Sequence, residues 1–220
     1  VYGMNDWFAD GASAEYCVAD ATHVARKPVG LDHGQAAVVP ISGLTAWQGL
    51  FERAGLRPGQ RVLIHGAAGA VGIFAVQLAH WRGAHVIVTV SEHNADFVRG
   101  LGADETIDYQ AVRFEDVATD IDVVFDAVGG DTLARSAALL KAGGKLVTIA
   151  ASSEGSATTA NHAVFFIVEP NAAQLGELAR LIDAGTLRPV VDATFPLASA
   201  RAAYEHKARR GKSVLRIGGA

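Results

Sequence analysis

The stretch 61–81, RVLIHGAAGAVGIFAVQLAHW, constrains the fold of this chain more than any other. It opens on an apolar run, Val62, Leu63 and Ile64, and passes into small residues over 66–72. Apolar residues then recur at Ile73, Val76, Leu78 and Trp81, the spacing of one helix face. A strand, a tight small-residue turn and a helix make the opening unit of a dinucleotide-binding fold. A side chain in such a turn holds a ligand away. Hydrogens and methyl groups let a pyrophosphate reach the backbone N–H groups at the helix start, where the helix dipole favours negative charge. In the G-x-G-x-x-G frame Ala67 takes the first position, Gly69 the second and Gly72 the third. Two plainer readings attach to the stretch. One is a glycine turn used for packing alone. The other is a membrane span, for which 62–81 is about long enough. Glycines at a strand-to-helix boundary, followed by several similar but shorter strands, argue against the span.

A chain of 220 residues buries a sizeable core, as one domain or two small ones. Half the residues are hydrophobic and the net charge is −4, which argues against a nucleic-acid surface. The single cysteine, Cys17, excludes an internal disulfide and a cysteine-rich zinc lobe, and it fits a reducing cytoplasm. The chain opens on Val1 with no visible secretory signal, so a processed or cut product is expected.

Along the chain, 14–18 and 23–28 read as short extended pieces, and 31–39 as a helix capped by Asp32. A helix is expected from Gly43 to about Ala54. After the organising unit come strands at 85–90, 105–108, 121–126, 145–150 and 164–168. Helices are expected at 94–101 and 132–140, the second stopped by Gly143 and Gly144, with a loop at 151–160. This alternation predicts an α/β fold, a mostly parallel sheet with helices on both faces and a ligand at the C-terminal strand ends. From Asn171 the pattern changes to an amphipathic helix at 174–184, short strands near 190 and 195, a helix over 199–207 and a strand at 213–217.

An acid that binds ribose hydroxyls sits at the end of the second strand in this fold, about twenty residues past the turn. Here that position is Ser91, which favours NADP over NAD; the neighbouring Glu92 works against a 2′-phosphate. Other chemistries find no support. Tyr204 and Lys207 are three apart and too late in the chain for a Tyr–Lys dehydrogenase pair, and G-x-S-x-G and H-x-x-x-H are absent. His65 on the organising strand reads as a packed histidine rather than a base.

Residues 10–18 (DGASAEYCV), Lys27-Pro28, 43–47 (GLTAW) and 66–72 (GAAGAVG) resemble the zinc-independent medium-chain dehydrogenases, the quinone oxidoreductase-like NADPH-dependent enzymes. So do 101–104 (LGAD), 125–130 (FDAVGG), 143–145 (GGK) and 210–212 (RGK), all in the family's order. The resemblance implies a Rossmann-type doubly wound parallel sheet over 43–170. It implies a partial GroES-like β-rich catalytic domain over 1–42, to which 171–220 returns. It further implies hydride transfer from NADPH to a quinone or α,β-unsaturated carbonyl, without zinc; the single cysteine points to a cytoplasmic location, and apolar surface left by a truncated catalytic domain to a homodimer.

By position, Thr45 is then expected near the nicotinamide and Ala68, Gly69, Ala70 and Val71 on the pyrophosphate. Ser91 and Tyr109 fall on the 2′-phosphate, and Val128, Ala150 and Ala151 on the nicotinamide ribose. Phe166, Ile167 and Val168 fall beside the nicotinamide, and Lys212 approaches from the C-terminal segment. Tyr109 and Phe166 also read as ordinary strand aromatics, and Lys212 as a solvated turn lysine. Zinc-dependent relatives carry a cysteine where this chain has Ile41. Family members also have a longer N-terminal portion, so a fragment or a truncated relative is expected, with apolar surface exposed on 12–39 and 187–217. Two further functions fit the same residues: an enoyl-thioester reductase such as a polyketide-synthase module, and a nucleotide-binding protein without catalysis.

Overall fold

A computed structural model describes residues 1–5, 11–150 and 163–218. The chain divides into two units, one of residues 1–44 with 169–220 and the other of residues 45–168. In the first, β1 (Tyr2–Gly3) and β2 (Val24–Ala25) pair antiparallel. Helix α1 (His33–Ala37) begins where expected because Asp32 and Gln35 cap it reciprocally. The Asp32 carboxylate accepts the Gln35 N–H at 2.7 Å, and the Gln35 carbonyl accepts the Asp32 N–H at 3.1 Å. Helix α2 (Pro40–Trp47) starts three residues before Gly43. Proline suits a first helical position, where its missing N–H goes unneeded. A π-helical turn, Gln48–Arg53, continues it. The strand expected at 14–18 does not form. Residues 11–22 are exposed, and β-propensity without a partner strand does not hold an extended segment in a sheet.

The second unit carries the predicted α/β pattern. Its strands are β3 (Arg61–His65), β4 (His85–Val90), β5 (Glu105–Asp108), β6 (Ile121–Asp126), β7 (Leu140–Thr148) and β8 (Ala163–Phe165). All neighbours are parallel, in the order β5-β4-β3-β6-β7-β8. This is a doubly wound sheet whose strand order reverses between β3 and β6. Val62, Leu63 and Ile64 are fully buried because β3 is covered on both faces. Leu63, Ile87, Val124 and Leu146 share one cluster with Phe114 and Leu133. Each such Leu or Ile stabilises the fold by roughly 1.5–3 kcal/mol. Helix α3 (Gly72–Trp81) packs on β3 and β4, while α4 (Ala95–Arg99) packs on β5.

Two boundaries differ from expectation. Helix α5 (Gly130–Ser136) and a short 3-10 turn end at Leu139, and 140–144 belong to β7. Gly143, at φ 80°, does not stop a helix; it lies where the β6–β7 register shifts, so the glycine pair serves a bulge. The last strand ends at Phe165, so 166–168 lie beyond it. The loop expected at 151–160 lies outside the described residues. The first unit resumes with α6 (Ala172–Asp183), β9 (Val191–Pro196), α7 (Ala200–Glu205) and β10 (Lys212–Arg216), and β9 and β10 are parallel.

Candidate functional site

The turn after β3 is built from bare backbone. Gly66 has φ 77°, a left-handed conformation that glycine adopts without strain. The Gly69 N–H donates to the Gly66 carbonyl at 3.0 Å and closes the turn, and the Ile73 N–H donates to the Gly69 carbonyl at 3.0 Å. Gly72 is the tightest point. A Cβ there would stand 2.1 Å from the Gly66 oxygen and 2.7 Å from the Ala67 Cα. A Cβ at exposed Gly69 would stand 3.2 Å from the same oxygen. Gly72 therefore serves the packing of turn on helix, and Gly69 keeps the outer face of the turn clear. Helix α3 has no acidic residue in its first turn and no side-chain cap, so the positive end of its dipole meets no acidic side chain of that turn.

Strand register sets what lies around this turn. His65 pairs with Asp126, so the segment after β6 emerges beside Gly66. A Cβ at Gly66 would come 3.5 Å from Cγ2 of Val128, whose side chain is half exposed. Val90 pairs with Asp108, which brings Ser91 and Tyr109 abreast. Ser91 is buried, with its Oγ 3.5 Å from Nε2 of His93, while Tyr109 is exposed and lines a concavity with Arg113, Phe114 and Arg135. Ala150 follows β7, and its N–H donates to Thr148 Oγ1 at 3.2 Å. Ala68, Ala70 and Val71 are all partly exposed on the turn. The strand ends thus bring together the turn residues, Val128, Ala150, Ser91 and Tyr109.

The remaining expected residues fall otherwise. Phe166 is buried and Arg53 lies 5.6 Å from its ring centre, so it packs inward as a core aromatic. Val168 is also buried, and Ile167 is the exposed member of the three. Thr45 is buried on α2. Lys212 opens β10 in the other unit, where burial lowers its pKa. Ala151 lies outside the described residues.

His65 is a core histidine. It is fully buried, its Nδ1 lies 2.8 Å from Thr89 Oγ1 and its Nε2 lies 2.9 Å from Ser136 Oγ. Burial holds its pKa down at about 4, against the pull of the nearby Asp126 charge. Sequence reasoning gave Asp126 no role. The signal was an acid closing an apolar strand ahead of two glycines, which reads equally well as an ordinary turn.

A dinucleotide fits this turn: the open face at Gly69, the uncapped start of α3 and its place where the strand order reverses between β3 and β6 suit a pyrophosphate. Among the described residues no His, Cys, Asp and Glu side chains form a group of three or more able to hold a metal, and Cys17 is exposed. No helix among them is long and apolar enough to cross a membrane.

Strand order and turn together define the doubly wound, dinucleotide-binding class of α/β fold. Comparison with known proteins narrows the class. Residues 101–215 match the model of the zinc-binding dehydrogenase family. The mitochondrial NAD(P)H oxidoreductase RTN4IP1 of Danio rerio is 33% identical over 94% of this chain and 63% of its own. A spectinabilin polyketide synthase system protein, NorB of Streptomyces orinoci, is 38% identical over 98% of this chain and 11% of its own. The solved quinone oxidoreductase of Coxiella burnetii superposes with a TM-score of 0.82 at 33% identity, covering 91% of this chain and 66% of that one. The chain belongs to the medium-chain dehydrogenase/reductase family of oxidoreductases. It spans about two thirds of the length of the oxidoreductase relatives.

Proposed function

We propose that this chain is an NADPH-dependent oxidoreductase that passes hydride to a quinone or an α,β-unsaturated carbonyl without a metal. The observation that carries this reading is the bare turn at residues 66–72, placed where the strand order reverses. In it, the amides of Ala70 and Val71 hold the pyrophosphate, flanked by Ala68 and Gly69. Gly69's own N–H is committed to Gly66, so its part is to leave room. Ser91 and Tyr109 take the adenosine end. No acid stands at position 91 to bind ribose hydroxyls and repel a 2′-phosphate.

Val128 and Ala150 flank the nicotinamide ribose. Ile167, more exposed than Phe166 or Val168, offers an apolar wall to the ring. Thr45 is the polar candidate near the nicotinamide, and Lys212 is the candidate cation. Bound NADPH supplies hydride from C4 of its nicotinamide. The protein's part is to orient the ring and exclude water, with hydrogen bonds in place of a Lewis acid. Support for metal-free chemistry is Ile41 in place of a ligand cysteine, together with the single cysteine of the chain. We also propose a cytoplasmic homodimer, supported by the exposed Tyr16, Val18, Val29 and Tyr204 of the first unit.

The test is NADPH oxidation with a panel of quinones and enals, with and without a chelator. Turnover that is indifferent to the chelator and faster with NADPH than NADH is expected; loss of activity with the chelator contradicts the metal-free reading. A second reading, reduction of an enoyl thioester, is favoured by the likeness to a polyketide synthase chain. Turnover of enoyl thioesters with none of quinones selects it.

A further inference from the structure

The carboxylate of Asp126 is buried and accepts hydrogen bonds from two chain segments at the C-terminal ends of the strands. It is fully buried at the end of β6. Its Oδ1 accepts the Val128 N–H at 3.1 Å, and the Gly129 N–H reaches Oδ1 at 3.1 Å and Oδ2 at 3.0 Å. The Thr148 hydroxyl donates to Oδ2 at 2.8 Å, and Thr148 Oγ1 in turn accepts the Ala150 N–H at 3.2 Å. The Asp126 carbonyl accepts the Ile149 N–H at 3.0 Å. One residue thus ties the segment after β6 to the segment after β7.

The donors to this carboxylate are neutral amides and a hydroxyl. Burying a charge on such partners is costly, and a neutral side chain could close an ordinary turn at lower cost. The turn here is not ordinary. Gly129 has φ 79° and ψ −164°, and Gly130 has φ 56°, conformations open to glycine that turn the chain sharply after β6 and aim the Val128 and Gly129 N–H groups at the carboxylate. The carboxylate, with acceptors on both oxygens, matches the N–H and O–H donors of this turn and of Thr148. An amide in its place would turn an NH2 group toward N–H and O–H donors. What the arrangement delivers is an exposed Val128 beside the Gly66 turn and a fixed Ala150 at the end of β7.

We propose that Asp126 is a positioning residue for the nicotinamide half of the cofactor, acting through Val128 and Ala150. This rests on the reading that the two residues flank the nicotinamide ribose. Because the carboxylate acts on one end of the site, its removal affects the two halves of the cofactor unequally. General damage to the fold weakens both halves together.

The experiment compares the unaltered chain with Asp126→Asn and Thr148→Val. NADPH and adenosine 2′,5′-bisphosphate are titrated separately, alongside a thermal melt. For Asp126→Asn, NADPH affinity falls about tenfold while that of the bisphosphate stays within about twofold. Thr148→Val removes one donor without adding a polar group and gives a smaller loss with the same split. If Asp126→Asn does not fold, the Thr148→Val split decides. Equal losses for both ligands, or unchanged NADPH affinity in folded variants, overturn the proposal. Saturable NADPH binding to the unaltered chain with no split sinks only the role of Asp126. No binding to the unaltered chain removes the cofactor reading as well.

Discussion

Two glycines three residues apart do different work, and their variants separate the two kinds of effect. A methyl group at Gly72 collides with the Gly66 carbonyl at 2.1 Å, so the turn must shift. Gly72→Ala is expected to lower stability by about 1–3 kcal/mol, read by urea denaturation; an unchanged midpoint contradicts the packing role. His65 gives a prediction in pH. Its folded pKa of about 4 lies below the ordinary 6.5. The unfolded chain takes up this proton below about 6.5, while the folded site resists it. This contribution to stability is therefore complete above pH 6.5 and is lost as the pH falls toward 4. Replacing His65 with Asn is expected to flatten that part of the stability profile, and denaturation at several pH values between 7 and 4 checks it. The packed role of His65 was legible because a histidine inside an apolar strand has little solvent to meet. Phe166 was not legible: of two adjacent phenylalanines, Phe165 ends β8 and Phe166 follows it, and sequence alone does not say which ring turns inward.

The elements that sequence placed well carry their own signals. Asp32 and Gln35 form a local capping box, and 61–126 alternates buried strands with helices whose stops are local glycines. Asp32→Ala is expected to cost about 1 kcal/mol of stability, measured by chemical denaturation; no change means the cap is redundant. Elements that depend on distant partners were misread. Residues 14–18 have strand-forming side chains, but among the described residues no strand pairs with them, and they stay exposed. Gly143 and Gly144 look like a helix stop, yet the neighbouring β6 recruits 140–144 into a bulged strand. The start of α2 at Pro40 was missed because Gly43 looked like an entry turn. The site follows the same division. Its turn is local and readable, whereas the Asp126 network joins β6 to β7 across twenty-two residues and shows only in the fold.

At the scale of the molecule, the chain combines a six-stranded doubly wound sheet with a unit assembled from its two ends. That unit exposes Tyr16, Val18, Val29 and Tyr204. A homodimer is expected, seen in analytical ultracentrifugation as twice the chain mass of 22.9 kDa; a monomer at micromolar concentration contradicts it. The central claim is that a diphosphate rests against open backbone at Gly69. The most direct test is calorimetric titration of the unaltered chain and of Gly69→Val with NADPH and NADH. Saturable binding to the unaltered chain, tighter for NADPH, is expected, together with its loss in a Gly69→Val chain that still folds. Undiminished binding by the folded variant, or no binding by the unaltered chain, contradicts it.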